Sequence, residues 1–203
     1  MRNLFFLILL SGLIAASCKG KSKNTITIKD EDGKTTGTID VSDMPKTASA
    51  ANELEKKMEE LKKLTPLSLD QLKAMLPEEF MGMKRSNFSA NSMMGTGSCN
   101  ATYKGNDDKE LKISIIDCAG EAGAGLYSLR FWSLMNFQQE DDDGYSKTID
   151  FNGQKAVESY KKNNDEYSLM YTASDRLLVH LEGEKTGLEA LKQAASNLNL
   201  KVN

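Results

Sequence analysis

The sequence predicts an α+β fold: an antiparallel sheet of hairpins with one long internal helix and a C-terminal helix packed on it. Three observations carry this. Between Tyr145 and Leu181, short alternating segments are separated by turn residues, and Asn152-Gly153 is the strongest two-residue hairpin signal in the chain. Residues 122–137 are rich in apolar side chains without strand alternation and predict the internal helix. Thr186 and Glu189 have capping-box spacing and open a segment whose Leu188, Leu191, Ala195 and Leu198 share one helical face. Hairpins interrupted by one helix and closed by another predict a single antiparallel sheet with its helices on one face.

The chain has 203 residues, 39% of them hydrophobic, enough for one domain with an appendage and a real core. Its 26 Lys and Arg against 29 Asp and Glu leave a formal charge of −3, so nothing resembles the basic surface that nucleic acid requires. A single histidine, His180, excludes multi-histidine metal sites. Neither metal nor cofactor is expected.

Residues 1–17 have the layout of an export signal. Met1-Arg2-Asn3 is positively charged, an apolar run follows from Leu4 to Ile14, and Ala15-Ala16-Ser17 supplies small residues before Cys18. Leu13-Ile14-Ala15-Ala16-Ser17-Cys18 resembles the lipobox of bacterial lipoproteins, departing from its commonest form in having Ala15 where Leu is more usual. The resemblance implies cleavage before Cys18, diacylation of its thiol and usually acylation of the new amino terminus. It also implies that the protein is anchored to a membrane through Cys18. Lys19 stands where an Asp typically retains such proteins in the inner membrane, which favours the outer membrane and its periplasmic face.

Residues 18–46 read as a tether carrying a small hairpin. Thr25-Ile26-Thr27-Ile28 and Thr38-Ile39-Asp40-Val41 alternate around Asp32-Gly33, although two strands alone are marginal in water. Residues 47–63 form a charged amphipathic helix. Ala51, Leu54, Met58 and Leu61 make one narrow stripe flanked by i,i+4 ion pairs, which suits docking on the domain or a homodimer through two heptads.

Residues 64–203 make the α+β domain. Ser68 and Gln71 are spaced as a capping box, so a short helix is expected from Leu69 to just before Pro77. Strands follow at residues 83–89, 99–103, 111–118, 145–151, 155–160, 167–172 and 176–181. Thr65 to Leu72, Leu76-Pro77, the Cys99–Cys118 hairpin and Ala119-Gly120 resemble an uncharacterised family of exported bacterial proteins, to which no activity is attached. The layout is also similar to small exported modules of the photosystem-accessory type, a likeness of fold that carries no function.

Four constellations bear on chemistry. Gly120, Gly123 and Gly125 stand between a strand and a helix, but no Gly-Lys-Ser/Thr follows, and close helix packing explains them better than a phosphate. Gln139, Asp141, Asp143 and Asp150 are a near miss to a calcium loop, with the wrong first and last ligands; a solvated loop is expected. His180 lacks a nucleophile partner. Cys99 and Cys118 are candidates for a disulfide in an oxidising compartment. Symmetric closure about Asn106-Asp107 sets Cys99 opposite Ser114, on the sheet face of Cys118 but about 13 Å from it at ~3.3 Å per residue. A bridge then requires a bulge; two free thiols are the alternative.

Trp132 and Met135 in the internal helix, with Met93 and Met94 in a Gly/Ser/Met-rich stretch, offer an apolar surface for a ligand or partner. The expected function is a membrane-anchored, periplasm-facing, non-enzymatic binding or scaffolding module of the cell envelope. The alternative is a carrier of an acyl or other apolar ligand. The partner is thus an unidentified envelope protein or an apolar molecule.

Overall fold

The computed structural model describes residues 25–29, 35–40, 44–93, 95–134 and 136–202. In chain order its elements are β1 (Thr25–Lys29), β2 (Thr35–Asp40), α1 (Met44–Lys62), α2 (Leu69–Met75), β3 (Glu79–Phe80), β4 (Met83–Met93), β5 (Thr96–Lys104) and β6 (Glu110–Asp117). There follow α3 (Gly120–Leu126), a 3-10 helix over Tyr127–Leu134, β7 (Phe137–Glu140), β8 (Gly144–Phe151) and β9 (Gln154–Lys161). A 3-10 turn at Lys162–Asn164 leads to β10 (Glu166–Ala173), β11 (Leu177–Glu184) and α4 (Leu188–Asn197). The fold is α+β as the sequence predicts, with the C-terminal helix packed on a sheet of antiparallel hairpins.

All described strands join one sheet in the order β1-β2-β7-β8-β9-β10-β11-β6-β5-β4-β3. Two meanders, β3 to β6 and β7 to β11, meet where β11 pairs with β6 along their full length, from Leu177 opposite Asp117 to Glu184 opposite Glu110. The segment from α3 to the 3-10 helix carries the chain from the centre of the sheet to β7. The N-terminal hairpin then adds to β7 through Gly37–Ile39.

Turn chemistry fixes the hairpins locally. Asn152-Gly153 makes the expected two-residue turn, both residues in the left-handed region, and closes Phe151 on Gln154. Met81-Gly82 does the same between β3 and β4. Ser68 caps α2 as predicted: its hydroxyl accepts from the Gln71 amide, and the Gln71 side chain accepts from the Ser68 amide.

The helices lie on both faces of the sheet, correcting the one-face expectation. On the first face α2 and α4 cover Cys99, Tyr103, Leu111, Ile113, Ile115, Leu169 and Leu181, all but excluded from solvent. On the second face Leu61 of α1 packs with Cys118, Ala124, Tyr127 and Leu178, with Leu54 and Met58 alongside. The stripe on α1 is thus used inside the chain, where a homodimer through residues 47–63 would have needed it free. The helix expected over residues 47–63 runs Met44–Lys62 and packs on this face, and β1 and β2 extend the sheet beyond β7.

Three further expectations are corrected. The internal helix is not one long α-helix over residues 122–137: α3 ends at Leu126, a 3-10 helix follows, and Phe137 starts β7. Glycines at 120, 123 and 125 weaken the helix, and Gly123 is required by contact. A Cβ there would lie 2.8 Å from the Cys118 carbonyl carbon and 2.9 Å from the Asp117 carbonyl oxygen. The Gly/Ser/Met-rich stretch is not irregular: β4 runs on to Met93 and pairs with β5 from Lys84↔Lys104 to Met93↔Thr96. Finally, α4 is not capped by Thr186, whose hydroxyl instead donates to the carbonyls of Glu110 and Glu184.

Candidate functional site

Cys18 and Met94 and Met135 lie outside the described residues, as does the side chain of Trp132, whose backbone belongs to the 3-10 helix after α3. The chain enters the structure at Thr25 in β1, the edge strand at one end of the sheet order. Met93 stands at the tip of the β4–β5 hairpin and is 71% exposed.

The densest side-chain constellation is one the sequence reading did not single out. Glu158 on β9 is 1% exposed, and three groups from two other elements converge on its carboxylate. The Tyr145 hydroxyl donates to it at 2.8 Å, and the ammonium groups of Lys147 and Lys192 lie 3.2 and 2.9 Å away. Tyr145 and Lys147 come from β8, where the register sets Lys147 opposite Glu158 and Tyr145 opposite Tyr160. Lys192 reaches down from α4. Burial alone would raise the Glu158 pKa; the hydrogen bonds from Lys192, Tyr145 and Lys147 outweigh it, so the carboxyl titrates below its ordinary value. Burial and the neighbouring carboxylate push the Tyr145 phenol up, so it stays a donor.

A row of half-buried tyrosines extends from this ion cluster across the strands. The Tyr145 and Tyr160 rings are 6.0 Å apart and those of Tyr160 and Tyr167 4.5 Å, and the Lys147 ammonium sits 4.7 Å from the Tyr145 centroid. A groove of about 300 Å³ at the β7–β8 turn is lined by Gln139, Asp141, Asp143, Tyr145, Ser146, Ser159, Tyr160 and Lys161. Ser146 and Ser159, paired across the strands and bonded at 2.8 Å, alternate with Tyr145 and Tyr160 and so belong to the opposite face from the tyrosine row. The flat aromatic faces and the Lys147 and Lys192 ammonium groups make the tyrosine row itself a surface suited to recognition. The signal available in sequence was the i,i+2 alternation of Tyr145 and Lys147 across Asn152-Gly153 from Glu158 and Tyr160. Only the hairpin register turns that alternation into contact.

The acidic loop is a β7–β8 turn. Asp141 Oδ1 accepts from the amides of Asp143 and Gly144, each at 3.0 Å, so this carboxylate closes the turn. Asp150 lies towards the opposite end of β8, away from the other three residues of the calcium-loop pattern. Among the described residues no group of three His, Cys, Asp or Glu is placed to hold a metal ion. His180 lies on the second face opposite Ser114 and Met170, beside a shallow concavity shared with Asn100, Lys112 and Glu182. Burial lowers its pKa, Glu182 and Glu166 acting against the shift and Lys161 with it.

Cys99 and Cys118 are free, and the disulfide expectation is corrected. The register sets Cys99 opposite Ile115 rather than Ser114. One residue of slip moves a side chain to the other face: Cys99 joins the core under α2 and α4, and Cys118 the core under α1. Burial pushes both thiols up to about 12. In native protein at pH 8 both are expected to resist an aromatic disulfide reagent, with thiolate populations about a thousandfold below that of an exposed cysteine. Both should titrate once urea unfolds the chain, and following the thiol-exchange absorbance with and without denaturant checks this.

No protein-family model matches the chain, and neither a curated protein nor a solved structure matches it significantly.

Proposed function

We propose that this protein is a lipid-anchored, periplasm-facing module of the bacterial cell envelope that binds or scaffolds a partner and catalyses no reaction. The observation that carries the reading is Cys18 placed directly after Ala15-Ala16-Ser17 and an apolar run. Each buried methylene of an acyl chain contributes about 0.8 kcal/mol, so two or three chains hold a protein durably where one does not. No helix of the described residues is long and apolar enough to cross a membrane. The tyrosine row with Lys147, Glu158 and Lys192 supplies a surface suited to recognition, its charges held by one another.

Labelled palmitate fed to cells making the full chain is expected to enter the wild type and not Cys18→Ser. The variant should also leave the membrane fraction. Absence of label in the wild type, or an unchanged distribution of the variant, overturns the anchor.

A second reading, a carrier of an acyl or other apolar ligand, has one observation in its favour. A groove of about 340 Å³ runs between α4 and the turns after β3 and β5, with Met81, Met83, Leu111, Ala190 and Ala194 on its apolar side and Asn106, Asp107, Lys109 and Thr186 on its polar side. Native mass spectrometry of the detergent-extracted chain separates the two readings, a bound apolar mass favouring the carrier.

A further inference from the structure

The two ends of the sheet are finished differently. Beyond β4 the sheet continues only as β3, whose two residues pair with Lys84 and Met83. The Arg85 amide then donates to the Glu78 carbonyl at 2.9 Å. From Ser86 to Met93 no described strand lies against the outer side of β4. Edges of this kind are ordinarily blunted by charge, proline or brevity. Here none of these applies: no Asp, Glu, Lys, Arg or Pro occurs between Arg85 and Lys104, in a chain of which 27% is charged. A bulge at Ser86 marks the start of the open stretch.

The sequence of that edge is close to a palindrome. Ser86-Asn87-Phe88-Ser89-Ala90-Asn91-Ser92 read backwards differs only by exchange of Phe88 with Ala90. An antiparallel partner with the same sequence, centred on Ser89, therefore sets Asn87 against Asn91, Ser86 against Ser92 and Ser89 against itself. Phe88 falls against Ala90, large beside small, and both pack at the margin of the core under α2 and α4. Asn87, Ser89 and Asn91 are exposed on the opposite face, where the Ser98 hydroxyl already donates to Asn91 at 3.0 Å. No like charges meet, the feature that penalises wrong cross-strand pairs.

We propose that the open edge of β4 binds the same edge of a second copy of this chain, antiparallel about Ser89, making one continuous sheet across a two-fold axis. Such an interface is isologous, each residue contacting its symmetry mate's counterpart. Main-chain hydrogen bonds supply the affinity and the Phe88–Ala90 alternation the register. β3 marks the limit of pairing: it occupies the outer side of Met83 and Lys84, so the partner's hairpin tip must end there. The two-fold axis stands perpendicular to the sheet, so both copies present the same face to the same side. This suits two chains anchored in one membrane, which raises their effective concentration. That last point rests on the anchor proposed above; the pairing itself does not.

The test uses the full-length chain, in the membranes of producing cells and after detergent extraction, with the parent as control for the three native cysteines. Cα atoms directly opposite in an antiparallel pair lie about 4.5–5.5 Å apart, within disulfide reach. Ser89→Cys is expected to give a disulfide dimer on oxidation. Chains carrying Asn87→Cys and Asn91→Cys should cross-link when mixed, and at least tenfold less with themselves. Ser89→Lys, exposed and tolerable to the fold, should weaken the dimer at least tenfold in sedimentation. No dimer from Ser89→Cys overturns the proposal, as does equal self-linking of Asn87→Cys, or a cross-link to a different polypeptide. If the anchor reading fails, the chain is found in the soluble fraction and the same cross-links decide the pairing there.

Discussion

Replacing Arg176 by Ala is expected to destabilise the protein by about 3–5 kcal/mol, the usual cost of leaving a buried charge without its partner. The partner is Asp117, whose side chain is fully buried, at the end of β6. Arg176, in the turn between β10 and β11, grips it with two prongs: Nε to Oδ1 at 2.8 Å and Nη2 to Oδ2 at 2.7 Å. The carboxylate also accepts from the Leu67 amide at 2.7 Å and the Ala119 amide at 3.2 Å, and Arg176 donates to the Thr65 carbonyl at 2.9 Å. The pair thus ties the α1–α2 link, the start of α3 and the junction of the two meanders at one point. Arg176→Lys keeps the charge and loses the fork, so it should fall between wild type and Ala. Urea denaturation followed by circular dichroism measures both, and a midpoint unchanged in Arg176→Ala would show that the clamp contributes nothing.

Glu158→Ala is expected to cost about 2–3 kcal/mol, the range for hydrogen bonds to a buried charged group. The effect is smaller than for Arg176 because the Lys147 and Lys192 side chains left behind are 39% and 29% exposed and can turn to water. Its pH dependence is the sharper signature. The Glu158 pKa is lowered in the folded protein, so the unfolded chain takes up the proton first as pH falls. The stabilisation is present above the ordinary glutamate range near pH 4.5 and drains away below it, down through the folded value. Glu158→Gln should therefore lose stability at pH 7 and show a flatter profile below pH 5. Parallel urea midpoints for wild type and variant across pH 3–7 read this directly, and equal slopes would exclude Glu158 as a source of the acid sensitivity.

How far the architecture was legible depends on the range over which each signal acts. Asn152-Gly153 fixed a hairpin because two left-handed residues admit one local geometry, and β8 and β9 formed around it in the expected register. Ser68 and Gln71 fixed α2 for the same reason, through bonds spanning three residues. Thr186 and Glu189 have the same spacing, yet the Thr186 hydroxyl donates to the carbonyls of Glu184 and of Glu110 on a distant strand, and no side chain caps α4. Leu126, Tyr127, Leu129 and Phe131 carry the apolar pattern of one helix, yet the α-helix stops at Leu126 and a 3-10 helix follows. Contact between α3 and the Cys118 backbone required Gly123, and the chain then had to cross the sheet to β7.

The candidate site was nearly illegible in sequence. Glu158, Lys147, Tyr145 and Lys192 are ordinary residues wherever they stand alone; they become a site only when β8, β9 and α4 bring the other three within about 3 Å of the Glu158 carboxylate. The thiols show the same limit in a smaller way. The β5–β6 loop closes with Asp107 and Asp108 both in the left-handed region, one residue away from symmetric closure about Asn106-Asp107. That single step separates two cysteines sharing a face from two cysteines in separate cores.

By itself the sequence determined the class of the fold, the Asn152-Gly153 turn and the cap of α2. Each of these is written in a few consecutive residues whose conformational choices are narrow. Tertiary structure alone decided the strand order, the placing of helices on both faces, the fate of the thiols, the ion cluster at Glu158 and the bare edge of β4. These depend on pairing parity and on which distant backbone a side chain meets, and a strand's alternation is compatible with either face until its neighbour is in place.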